Sequence, residues 1–190
     1  MSKLSVIGQT EKRIQPRDVK NYGISGYDID NLYPQRIEDS LAASVTGDAA
    51  SKLFATHLVG RGFAVETLNT TVVNPEGQTL KEVFELLCDD YAKYRGAAIA
   101  ISYNGLLEVS AIRHQPFSHV RLAIEDDLGN IDHVVTYEDW DNSKYSRVKK
   151  ERMKHVDLFT TDPEKIAQQI EKAGGFDKWN GHILYYSADG

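Results

Sequence analysis

The sequence predicts an α+β fold: an antiparallel meander sheet with helices packed on one face, preceded by a flexible N-terminal arm. Helical periodicity with matching cap residues dominates from residue 30 to Gly96, and apolar runs broken by Asn-Gly, Pro and Gly-Asn turn signals follow it. A chain of 190 residues buries one sizeable core, so the organisation expected is an arm over 1–29 and a single domain over 30–190.

In the arm, Leu4 to Ile7 reads as a short strand, and Glu11 to Gly26 is polar and punctuated by Pro16, Gly23 and Gly26. The stretch from Asp30 to Phe63 holds the densest local signals. Pro34 suits the first helical position, where its missing N–H has no helical partner to lose, and Ile37, Leu41 and Val45 then share a face. Thr46, Gly47 and Asp48 end or bend that helix, and a second is expected from about Asp48 to Leu58 with Ala50, Leu53, Phe54, His57 and Leu58 as its apolar face. Gly60 and Gly62 terminate it around Arg61.

Phe63 to Leu68 alternates weakly as a strand, and Asn69 to Gly77 is a loop. Thr79 and Glu82 have capping-box spacing at the head of a helix whose core face is Leu80, Val83, Phe84, Leu87, Tyr91 and Tyr94, stopped by Gly96. Ala97 to Tyr103 reads as a buried strand, Asn104-Gly105 as a tight hairpin turn, and Leu106 to Arg113 as the returning strand. Val120 to Ile124 and Ile131 to Tyr137 pair around an Asp127–Asn130 turn. After a charged excursion, Glu138 to His155, the chain regains a strand at Val156 to Phe159. A helix opened by Asp162-Pro163-Glu164 presents Ile166 and Ile170 and ends at Gly174-Gly175, and Gly181 to Ser187 is a last strand. Asp189-Gly190 is a hairpin signal with no strand after it, so the sequence reads as the front portion of a longer chain.

Composition restricts the function classes. The formal net charge of -6 disfavours autonomous, sequence-blind grip on nucleic acid. Cys88, the single cysteine, lies in a helical pattern where a small buried thiol is expected, and it fits a reducing compartment. The N-terminus is too polar for a signal peptide, and no apolar run approaches the roughly 18 to 20 residues of a membrane span.

Catalytic constellations are not visible. The histidines lack HxxxH or HExxH spacing, and His114 and His119 flank a turn where bonds to loop backbone are expected. Asp89-Asp90 and Asp126-Asp127 are sequence neighbours that point apart and read as solvated. No cofactor or metal is expected. The feature suited to an anionic partner is the basic run, with Arg147, Lys149, Lys150 and Arg152 as residues for subunit or nucleic-acid contact, partly offset by Glu151, Asp139 and Asp141; a solvated loop is the favoured alternative reading.

The order Asp30-Asn31-Leu32-Tyr33-Pro34-Gln35, a helix pair, then Gly60-Arg61-Gly62-Phe63 resembles the N-terminal part of portal proteins of tailed bacteriophages, especially those of prophages of anaerobic gut bacteria. Further motifs keep the order: Tyr94-Arg95-Gly96, then Ile112-Arg113-His114-Gln115-Pro116-Phe117 leading to Val120-Arg121, then Tyr137-Glu138-Asp139-Trp140 and Ile183-Leu184-Tyr185-Tyr186-Ser187. The resemblance implies a non-enzymatic subunit of a ring at one capsid vertex, in the virion and assembled in the bacterial cytoplasm, with this chain in the outer, wing-like region. The partners it implies are copies of the chain itself, capsid, the packaging motor (terminase), tail-connector proteins, and double-stranded DNA passing through the ring, with no membrane. The long channel-lining helices of such subunits have no counterpart here, so the piece alone is compatible with a monomer. The competing classes are a stand-alone α+β interaction module of a mobile element or bacterium, and an enzyme whose site the motifs do not reveal.

Overall fold

In the computed structural model, residues 16–27, 30–140 and 149–188 are described. The chain is α+β, as the sequence predicts. Strands β1 (Pro16–Val19), β2 (Ile24–Tyr27), β3 (Gly96–Tyr103), β4 (Val109–Gln115), β5 (Val120–Ala123), β6 (His133–Thr136), β7 (Lys154–Leu158) and β8 (His182–Ser187) build one eight-stranded sheet in the order β1-β2-β5-β6-β7-β8-β3-β4. Helices α1 (Tyr33–Ala42), α2 (Val45–Val59), α3 (Glu66–Thr70), α4 (Leu80–Tyr94) and α5 (Pro163–Ala173) complete it.

The meander expectation is corrected at two points. β7 and β8 are parallel because α5 is the crossover between them, and an antiparallel partner would have needed only a turn. β8 enters between β7 and β3, which sends the β3–β4 hairpin to the far edge. Within the stretch expected as an arm, residues 16–27 form a hairpin whose second strand pairs with β5, and its Ile24 is wholly buried against Val135, Tyr137 and Trp140. The Leu4–Ile7 expectation lies outside the described residues.

Local chemistry explains the helices. α2 starts earlier than the expected Asp48, at Val45, because Ser44 caps it, accepting from the Gly47 N–H at 3.1 Å. α2 lies against α1 and α4 with Ala55 as its buried residue, so the apolar face expected from periodicity is not the packed one: Leu53 is 72% exposed and Phe54 45%. Phe63 to Leu68 is no strand. The Asn69 side chain grips both backbone groups of Phe63, at 2.9 and 3.1 Å, and curls the chain into α3.

The Thr79–Glu82 capping box is present. α4 ends on Arg95 at φ 56°, and Gly96 is required for a different reason: a Cβ there would lie 2.3 Å from the Phe117 ring. Asn104 organises a longer turn than expected, accepting the N–H groups of Leu106 and Glu108 on its side chain, so β4 begins at Val109 instead of Leu106. α5 starts on the Asp162 cap and stops at Gly174 in the left-handed region.

The strand registers divide the core. One face of the sheet carries Ala98, Val120, Val134, Val156 and Ile183. α4 and α5 pack on the other, where the Asp90–His114 and Gln169–His182 contacts tie them down. Tyr27 on β2 and Tyr185 on β8 stand four places apart in the strand order, yet their hydroxyls meet at 2.8 Å, so the sheet curls.

Candidate functional site

The chemically richest buried region centres on Arg121 of β5, whose side chain is fully buried. Its Nε donates to Asn31 Oδ1 at 2.5 Å, one terminal nitrogen to the Asn31 carbonyl at 3.0 Å, and the other to the carbonyls of Ser118 and Val120 at 2.8 Å each. The guanidinium carbon sits 4.7 Å from the centre of the Tyr27 ring and 5.0 Å from that of Trp140. Asn31 reaches it because it adopts φ 60°, a conformation that asparagine tolerates better than most residues. Trp140 Nε1 donates to the His119 carbonyl at 2.9 Å, which fixes the ring.

An aromatic run continues from there. Tyr27 stacks on Phe117, and Phe117 stacks on both Tyr94 and Tyr185. Burial, with the neighbouring Tyr185, holds the Tyr27 phenol well above its ordinary pKa, and burial raises Tyr185 as well. Tyr94 is raised by burial and by donating to Glu38. Asp90 is buried, not solvated as its sequence position suggested: it accepts from the Phe117 N–H at 2.8 Å and pairs with His114 Nε2 at 2.7 Å. These groups are committed to one another. The arrangement clamps the Asp30–Gln35 segment and the Pro116–His119 turn to the sheet.

Among the described residues, the members of the basic run have separate surroundings. Arg147 lies outside the described residues. Lys149 is exposed, and its backbone N–H is 3.4 Å from the Tyr137 hydroxyl. The Lys150 ammonium stands 5.8 Å over the Tyr22 ring, and Arg152 pairs with Glu138 at 3.3 Å. Arg152, Glu138, Glu151 and Lys154 share a groove of about 680 Å³ floored by Ala100, Val156 and Ile183, where acidic and basic groups balance.

Beneath α5 lies a polar layer that sequence reasoning missed. His182, fully buried, has Tyr103 Oη 2.8 Å from Nδ1 and Gln169 Oε1 2.9 Å from Nε2. The amide oxygen only accepts, so Nε2 carries the proton and Nδ1 accepts from the phenol. Burial lowers its pKa. Asp132 bridges His133, at 2.5 Å, and Lys172, at 3.0 Å. His155 is lowered by burial and then by His133. Among the described residues, no group of three or more His, Cys, Asp or Glu is arranged to hold a metal, and no helix is long and apolar enough to cross a membrane.

Of these residues, Arg121 had a legible signal. It falls between apolar neighbours in a strand whose alternate positions on both sides are core. Asn31 and Asp90 had none, because their partners are distant in sequence.

Compared with known proteins, the chain matches no protein-family model and no curated protein. Among solved structures it is similar to a chain of the neck of an empty GTA particle computed with C6 symmetry, at 15% identity and a TM-score of 0.44. The match covers 78% of this chain and 42% of that one, so the chain spans under half the length of that neighbour.

Proposed function

We propose that this chain is a structural subunit of a tailed-phage particle, forming part of the outer α+β region of a portal ring at one capsid vertex. Its role is shape and docking, with bond-making left to the packaging motor. Copies of the chain, capsid, terminase and tail-connector proteins are its partners, and double-stranded DNA passes through the ring.

The observation that supports this reading is the spatial convergence of motifs that are scattered in sequence. Asn31 of the Asp30–Gln35 segment, Phe117 and Arg121 of the next motif, Trp140 and Tyr185 come from four parts of the portal-like order, and they meet around one buried guanidinium and its aromatic run. Short motifs that keep their order and also meet in space describe a shared packing unit better than a chance run of short matches. The exposed Val45, Leu53 and Phe54 of α2 also suit a surface that a neighbouring subunit covers.

The test is to express the native reading frame that contains this chain and to measure the mass and shape of its product by light scattering and negative-stain imaging. Closed rings with a central opening are expected. A product that stays monomeric at every concentration, with no ring, would overturn the reading.

A further inference from the structure

His133 on β6 and His155 on β7 are diagonal neighbours on the sheet face that α5 covers, since His133 pairs with Asp157 and Val135 with His155. Their ring centres are 5.2 Å apart. A zinc-class ion bonded to imidazole nitrogen at about 2.05 Å sits about 3.2 Å from the centre of a ring that points at it, so two rings on a tetrahedral ion stand about 5.2 Å apart. The observed spacing admits a shared ion.

The surroundings favour ligation by this pair. Asp132 Oδ1 lies 2.5 Å from His133 Nδ1, which places the proton there and leaves Nε2 with its lone pair available. The Asp132 carboxylate is itself braced by Lys172 at 3.0 Å. Both histidines line a cleft of about 320 Å³ with Asp157, Trp179 and Asn180. Asp157 adds negative charge, and its Oδ2 accepts from Trp179 Nε1 at 2.9 Å. Lys178 also lines the cleft and opposes a cation, whereas the Lys172 charge is paired with Asp132.

We propose that His133 and His155 form a two-histidine site for a borderline transition-metal ion such as Zn2+ or Cu2+, with Asp132 orienting His133 and water filling the remaining positions. The site joins adjacent strands under α5 and is separate from the portal reading, so either can fail without the other.

The experiment uses tag-free protein stripped with chelator and titrated with Zn2+ by calorimetry, with Cu2+ electron paramagnetic resonance as a second readout. Saturable 1:1 binding in the micromolar range is expected, with copper hyperfine structure from nitrogen ligands. His133→Ala and His155→Ala should each weaken binding more than about tenfold, and Asp132→Asn should weaken it by about ten- to a hundredfold. His57→Ala, on exposed α2, should leave it unchanged. His155 is exposed and His133 only half-buried, so circular dichroism of the variants should match the parent. Absence of saturable binding in the parent, or binding that persists in the His133→Ala/His155→Ala double variant, would overturn the proposal.

Discussion

Arg121 Nε donates to Asn31 Oδ1 at 2.5 Å across 90 residues of sequence, and both residues are buried. The bond joins the segment that opens α1 to the centre of the sheet, and the same Asn31 oxygen also accepts from the Tyr27 N–H at 3.2 Å. Arg121→Met should therefore destabilise the fold by about 3 kcal/mol or more, because it removes the buried donors to Asn31 and to the carbonyls of Ser118 and Val120. Urea denaturation gives the value. Asn31→Gly keeps access to positive φ and loses only the side-chain acceptor, so it should cost less than Asn31→Ala.

Gly96→Ala should be costly where helix and strand propensity predict a mild gain. The new methyl meets the Phe117 ring at 2.3 Å, and that ring is held by Tyr27, Tyr94 and Tyr185. About 2 kcal/mol of destabilisation is expected from such overpacking. Phe117→Leu in the same chain should recover part of it, and the non-additivity in a double-mutant cycle is the readout.

His182 sets a pH dependence. Burial holds its pKa below the ordinary value, so the unfolded chain takes up the proton first as the solution is acidified. Its contribution to stability is complete above about pH 7 and is lost as the pH falls through the unfolded value near 6.5 toward the lower folded one, by at most about 1.4 kcal/mol per pH unit. His182→Phe should flatten that slope in urea melts between pH 7 and pH 5. An unchanged slope would assign the effect to other groups.

Thr79→Ala removes one half of the capping box at the head of α4 and should cost about 1 kcal/mol. Hydrogen exchange in the first turn of α4 should accelerate while the β3 amides stay protected.

The sequence made some elements legible and hid others for identifiable reasons. The caps at Thr79 and Asp162 and the stop at Gly174 are local chemistry, and each was readable. The parallel β7–β8 pair was readable in principle from the strand, helix and strand spacing, but uniform turn signals elsewhere favoured a meander. The face of α2 was not, because Ala55 packs inward while the larger apolar side chains point out, which reverses what periodicity assumes. The Arg121 cluster and the histidines under α5 depend on contacts between distant segments, so residue spacing carries no trace of them. The basic run was legible as charge, yet its pairing of Arg152 with Glu138 was not.

The central claim is that the chain serves as a vertex component of a particle. The most direct measurement is quantitative mass spectrometry of purified particles released by the host that carries the gene, combined with antibody labelling under the electron microscope. The account predicts a fixed, low copy number relative to the major shell protein and label at one vertex. Absence of the chain from intact particles, or label spread evenly over the shell, would contradict it.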